Sequence, residues 1–329
     1  MIPLSVISIL LTIAPDWGQP AIVHASAKRA LPLLQQAAAV HIEKKTCFGC
    51  HNQGAPAAAV KLAVSRGFAV PDDFFVAQRE HITDFIAGNI KQFQSGAGTG
   101  GGVDTAGTIL MALENHDHKA DANTDAIIMY LLKADAKEAF WKCSSNRPPT
   151  EASSITTTYL AIRGLKTWAN AEQKPAAEKR INTAREWLIE AKAKDTEDAV
   201  FRLSGLHLAG APSEILAEAG KELLALQHTN GGWGQMPKMA SDAYATGTAL
   251  VALQETGQLK TTSPAYRRGM IFLMNRQLAD GSWKVPSRSK PFQKYYESGF
   301  PHEKDQFISA PASAWATQAL LLAMPKKER

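Results

Sequence analysis

Residues Tyr244 to Leu253, Trp315 to Met324 and Asp104 to Leu113 are three copies of one pattern, and looser copies end at Leu165 and Leu206. Each copy is small or apolar on nearly every face, which suits a helix buried on both sides. A second series sets an aromatic or polar residue before a leucine, at Tyr130-Leu131, Trp187-Leu188, Glu222-Leu223 and Phe272-Leu273. Around it, as at Ile181, Ala184, Leu188 and Ala191, apolar residues recur at spacings of three and four with charges between them, the pattern of a helix with one wet face. The two series alternate, so inner and outer helices alternate. A two-helix repeat of roughly 40 to 70 residues is the signature of a helical array, which either runs on as a solenoid or closes into a ring. Five pairs lie between His81 and Met324, and a sixth fits from Arg29 to Gly67. Glycine and proline mark the joints, at Gly96 to Gly102, Pro148-Pro149, Pro212, Gly231-Gly232, Gly281 and Pro286. No alternating run is long enough for a sheet, so the expected class is all-α.

A chain of 329 residues with 45% apolar content can bury a large core. The net charge of +5 is spread thinly, with no basic block interleaved with aromatics, which argues against nucleic acid as a partner and leaves a peripheral contact with membranes open. The run Ile2 to Pro15 is apolar but short for a bilayer span, and Ala25-Ser26-Ala27 offers a small-x-small cleavage site. Residues 1–27 are therefore expected to be a signal peptide of a periplasmic or secreted protein, and 28–329 a single domain. A membrane anchor or an ordinary apolar first helix is the alternative, because residues 2–14 carry no Lys or Arg.

Cys47-Phe48-Gly49-Cys50-His51 carries the strongest chemical signal, since Cys-x-x-Cys-His is the attachment sequence of c-type haem. Two thiols one turn apart can add to the two porphyrin vinyl groups, and the adjoining imidazole reaches the iron. The expectation is one covalent haem c per chain, attached within about residues 40–66 and ligated by His51. The rival readings are a zinc half-site, a dithiol redox pair and accident. Zinc wants four ligands and would have to recruit Cys143 from far away, while a thioredoxin-like pair belongs beside a βαβ pattern that this chain lacks.

The segment Gly269-x-x-Phe272-Leu273-x-x-x-Gln277-x-x-x-Gly281-x-Trp283 resembles the QW repeat of squalene-hopene cyclases, with a partial copy from Gln227 through Gly231-Gly232 to Trp233. The wider pattern, including Arg147-Pro148-Pro149, Ser241-Asp242 with Tyr244 and Thr246, and Ser298 through Ser309, resembles a bacterial group. In that group the α/α-toroid of squalene cyclases and protein prenyltransferases carries a cytochrome-c-type haem motif. The resemblance spans most of residues 40–325 and implies an α/α-toroid of about six helical hairpins. It also implies that the glutamine ties a helix end to the following turn while the tryptophan covers it.

The acid motif Asp-x-Asp-Asp that this resemblance implies for a cyclase is absent, as is the Asp-Asp-x-x-Asp magnesium motif, and only Cys143 is left over for a prenyltransferase-type zinc. The leading expectation is thus a haem-dependent redox protein. It would exchange electrons with a partner protein and, if an enzyme, would act as an oxidoreductase on an apolar, isoprenoid-like ligand in the ring. A non-catalytic scaffold and a divergent terpenoid cyclase or isomerase using an unrecognised acid are the alternatives. For the sixth iron position His302 is the candidate, in the long aromatic segment from Trp283 to Ser309, with His41, His81, Met236 and Met239 as rivals. Arg147 is expected to meet haem propionates or to pair with Glu151. Asp242, Tyr244, Ser313 and Trp315 are placed at inner-helix starts, Asp242 as a cap. Cys143 is expected to be buried and inert.

Overall fold

A computed structural model describes residues 20–291 and 294–327. Along them run six outer-then-inner hairpins. The first pairs α1 (Pro20–Lys44) with α2 (Ala55–Ser65), and the second pairs α3 (Asp72–Gly88), prolonged by α4 (Ile90–Ser95), with α5 (Gly102–Asn115). Next come α6 (Ala122–Lys133) with α7 (Ser154–Trp168) and α8 (Lys174–Glu190) with α9 (Thr196–Leu208). The last two pair α10 (Ser213–Ala225) with α11 (Ala243–Glu255) and α12 (Pro264–Arg276) with α13 (Gln306–Leu322). The inner helices touch in the order α2, α5, α7, α9, α11, α13 and back to α2, so the array closes into an α/α-toroid rather than running on. The single sheet among the described residues is one short antiparallel pairing of β1 (Trp233–Gly234) with β2 (Ser241–Asp242).

The burial pattern matches the two sequence series. Every residue from Ala243 to Leu253 of α11 is buried, whereas α8 buries only Ala177, Ala184 and Leu188. The glycine shared by two of the inner copies sets the closest approaches between neighbours. A Cβ on Gly107 would lie 2.6 Å from Leu160 on α7, and one on Gly247 would lie 2.7 Å from the Trp315–Ala316 backbone on α13.

Three outer helix ends are closed in the same way. The indole N–H groups of Trp141, Trp233 and Trp283 donate to the carbonyls of Leu131, Leu223 and Leu273, ten residues earlier in each case. The backbone N–H groups of the same tryptophans donate to hydroxyls on the following inner helices, Thr158, Thr246 and Ser313. These contacts satisfy helix-end groups that would otherwise be orphaned inside the ring. Gln227 donates to the carbonyls of Gly231 and Ala265, and Gln277 to those of Gly281 and Ser26. The last bond joins the final outer helix to the first and closes the outer layer.

One expectation changes. Ser313 and Trp315 lie about two turns inside α13, because the helix already begins at Gln306 and so absorbs the end of the segment read as a loop. The boundary after Ala27 falls inside α1: Ala27 is fully buried, Val23 is buried, and the Ser26 hydroxyl donates to Gln277 at 2.7 Å. Residues 20–27 form the first two turns of α1, while the apolar run Ile2 to Pro15 lies outside the described residues. Among the described residues no helix is long and apolar enough to cross a membrane.

A chain beginning at Lys28 is expected to melt several degrees below one beginning at Pro20, since it loses the Ser26–Gln277 bonds and the buried Val23 and Ala27, together about 2–4 kcal/mol. Thermal unfolding of the two chains side by side checks this, and equal midpoints would show that α1 closes the ring without its first two turns.

Candidate functional site

The turn from outer α1 to inner α2 carries the cysteine motif. Residues 45–49 form a loop, and Cys50–Gly54 continue as a π-helical turn, with the Gln53 N–H bonded to the Gly49 carbonyl at 2.8 Å, before α2 takes over. Phe48 is buried and pins the loop. Two histidines brace it. The His41 Nε2 lies 2.7 Å from the Cys47 carbonyl and its Nδ1 2.9 Å from the Tyr296 hydroxyl. A carbonyl can only accept, so Nε2 bears the proton and Nδ1 accepts from the tyrosine. Burial, partly offset by the bond to the Cys47 carbonyl, lowers His41 to about 4, which keeps this neutral form. By the same logic His81 Nε2 donates to the Lys45 carbonyl at 2.9 Å while its Nδ1 accepts from Gln53 at 3.2 Å. Gly49 is required here because a Cβ would sit 2.6 Å from the His41 ring.

Cys47, Cys50, His51 and Arg147 come together on one cleft of about 420 Å³, within the roughly 300–1,000 Å³ of cofactor and ligand sites. Among the described residues the His51 ring makes no hydrogen bond. Its one ring contact is Phe307, with centroids 6.2 Å apart, and burial holds it below its ordinary value, hence neutral. Burial also pushes the Cys50 thiol up, with the nearby Glu151 carboxylate acting in the same direction, so Cys50 is a protonated thiol. The cleft wall contains two buried polar atoms without partners, Asn52 Oδ1 and Thr99 Oγ1. Arg147 pairs with Glu151 at 2.8 Å, and their backbones are bridged in both directions.

The other sequence candidates are engaged with other partners, and of them His41 also lines the motif cleft. His302 bonds Ser282 Oγ at 2.7 Å and is not among the residues lining the three clefts that meet at His51. His41 and His81 have both ring nitrogens engaged in the loop. Met236 and Met239 belong to the β1–β2 turn, where Met236 accepts from Arg288 at 3.1 Å. Asp242 caps α11, accepting from the Ala245 N–H at 3.0 Å. Cys143 is half-buried and does not line the motif cleft. Its thiol donates to Asp104 Oδ2 at 3.3 Å, and burial pushes it up to about 11. No group of three or more His, Cys, Asp and Glu side chains among the described residues could hold a bare metal ion, so the zinc reading finds no further ligands.

The centre of the ring holds what the sequence reading missed. Tyr159, Phe201, Tyr244 and Trp315 fill the bore and leave about 70 Å³ open, a few waters' worth and far below what an isoprenoid needs. Glu197 projects into this space, accepting from Tyr244 at 3.0 Å and Thr156 at 3.3 Å. Burial raises it well above the carboxylate range, so it is a neutral acid. Burial likewise raises Asp104 to about 6, against the hydrogen bond from Thr157 at 2.6 Å. In sequence Glu197 hides between Asp195 and Asp198, where acids read as helix caps. The usable signal is its place two residues after a cap, matching Tyr244 after Asp242.

No family model matches the chain. A stretch of 86 residues, 26% of this chain, is 36% identical to part of lanosterol synthase of Saccharomyces cerevisiae; the chain spans 11% of that protein's length. Over nearly its whole length the chain superposes on a solved glycosidase, the E335A variant in complex with glucose. The TM-score is 0.57, with 11% identity, and the match covers 92% of this chain and 99% of that one. At that identity the likeness supports the toroid alone.

Glu197 takes up a proton on folding, because it is ionised above about pH 4.5 when unfolded and neutral when folded. The sign follows: its contribution is fully present below pH 4.5 and is lost as pH rises. Wild-type stability relative to Glu197→Gln is expected to fall with rising pH, by up to about 1.4 kcal/mol per pH unit. Urea unfolding of both proteins at pH 5 and pH 7 reads this, and a constant difference would mean that Glu197 is ionised in the ring.

Proposed function

We propose that Cys47 and Cys50 anchor one covalent haem c, with His51 as its axial ligand, and that the protein is a redox protein built on a toroid. The observation that supports this best is the cleft itself. Two thiols, an unbonded neutral imidazole, an arginine and two unpartnered polar atoms converge on a space of cofactor size. A bare metal needs several protein ligands and finds none grouped, whereas a porphyrin brings four nitrogens and needs one imidazole. When bound, haem supplies a one-electron iron couple. The chain's part is to present the His51 lone pair, to hold the motif loop rigid through His41 and His81, and to offer Arg147 for carboxylates. The engaged nitrogens of His41 and His81 support His51 as the ligand, as does its place in clefts that His302, Met236 and Met239 do not line. Electron exchange with a partner protein, and a periplasmic or secreted location where such haem is attached, belong to this reading.

Protein exported from a host that matures c-type cytochromes is expected to gain the mass of one porphyrin and to show a c-type pyridine haemochrome spectrum, both lost in Cys47→Ser/Cys50→Ser. After reduction, carbon monoxide is expected to shift its absorption. Colourless, properly exported protein would refute the assignment, and a reduced spectrum untouched by carbon monoxide would mean a sixth protein ligand.

A second reading, a divergent terpenoid isomerase or cyclase, is favoured by one observation: the neutral acid Glu197 among aromatic rings. It expects turnover of short polyprenes that Glu197→Gln abolishes. The small open volume weighs against it, and no product from squalene or shorter polyprenes would remove it.

A further inference from the structure

Next to the motif cleft, and sharing His51, Arg147 and Phe307 with it, lies a second opening of about 450 Å³ that neither reading uses. Its wall is of two kinds. Arg147, Lys290 and Lys304 line it, and among the described residues no carboxylate does. The neighbouring acids are engaged elsewhere: Glu151 pairs with Arg147, while Asp305 accepts from the Ser287 N–H at 2.9 Å and lies 3.9 Å from Lys284. Facing the cations are Tyr295 and Phe307, set edge to face at 81° with centroids 6.4 Å apart, beside the buried Ile308. An aromatic body can stack on one ring and meet the edge of the other, an arrangement rings favour, and the exposed Tyr295 gains cover by it. With Arg147 already paired to Glu151, the two lysines Lys290 and Lys304 favour a single negative charge on that body.

We infer that this cleft binds a small aromatic carboxylate, its ring against Tyr295 and Phe307 and its charge toward Lys290 and Lys304, placing the ligand beside His51. The inference stands on the cleft's own side chains and not on what Cys47 and Cys50 carry. It moves the ligand from the filled bore to the rim, and it changes the expected chemistry from an isoprenoid to an amphipathic anion. A neutral apolar molecule would leave the lysines unmatched. An inorganic anion would leave the rings uncovered.

Calorimetric titration of the full chain with 2-naphthoate, 2-naphthalenemethanol and inorganic sulfate tests it. The expected result is one saturable site for naphthoate, binding about tenfold or more weaker for the alcohol, and no saturation with sulfate. Lys290→Gln and Lys304→Gln are each expected to weaken naphthoate about fivefold, and together more than tenfold, with the alcohol unchanged. Both lysines are exposed, so these variants keep the fold, which matching thermal midpoints verify. Equal affinity for acid and alcohol, or naphthoate binding indifferent to both substitutions, overturns the inference, as does an absence of saturable binding. The Cys47→Ser/Cys50→Ser chain separates this from the haem proposal. Binding that persists beside failed haem attachment upholds the cleft alone, and coloured protein without binding upholds the haem alone.

Discussion

Satisfying the ends of buried helices is the constraint on which the ring depends. A closed double layer of helices puts the last carbonyls of each outer helix against a neighbour instead of water, where every unpaired group costs about 1–3 kcal/mol. The Trp141, Trp233 and Trp283 indoles answer this with one geometry, and each ties its backbone N–H to the next inner helix as well. A single tryptophan thus ends an outer helix, covers the end with apolar surface and ties it to the next inner helix. Where no tryptophan stands, arginine supplies part of the closure, as Arg202 does by donating to the carbonyls of Leu188 and Ile189 at the end of α8.

The architecture was legible because burial on both faces and burial on one face leave different marks on sequence. The copy at Trp141 was not, since it lacks the glutamine. There Arg180, from the next outer helix, donates to the carbonyls of Ala134, Asp135 and Glu138 and stacks 4.1 Å from the Trp141 ring. A role supplied from another helix has no local spacing to read. Register was misread by a turn for a similar reason. The sequence match sets Thr246 against Thr317, yet the hydroxyl that takes the part of Thr246 is Ser313, four residues earlier. On an all-apolar helix a slip of about one turn preserves the pattern, and only the hydrogen bond distinguishes the two. That Cys47, Cys50, His51 and Arg147 share one cleft fits a grouping drawn from sequence on chemistry that is local or rare. His302 and the bracing role of His41 depend on which loops meet, information carried by pairs such as His41 and Tyr296 far apart in the chain.

Each hairpin runs outward helix first, so all six inner helices begin at one rim, the rim that carries the motif loop, the Arg147–Glu151 loop and the long final connection. Helix N-termini favour negative charge by about 0.3–1 kcal/mol each, up to roughly 2 when partly buried. Desolvation is larger, commonly several kcal/mol. The outcome is visible in Asp104 and Glu197: both sit in the first turn of an inner helix, and both are nonetheless pushed toward the neutral form. Burial wins over the dipole, and His51, Cys50 and Glu197 are neutral together.

That shared neutrality explains where chemistry can occur in this ring. Inside, the aromatic side chains that stabilise the bore also fill it, so the toroid's axis is core rather than channel. Cations that share a cleft with His51 stand at the rim, on Arg147, Lys290 and Lys304, and both lysines are exposed. A group attached at Cys47 and Cys50 would therefore stand at a boundary, with the aromatic-filled bore behind His51 and a cationic, solvent-connected opening before it. Such a boundary lets polar ligands approach the rim while the neutral Glu197 stays buried in the ring behind it.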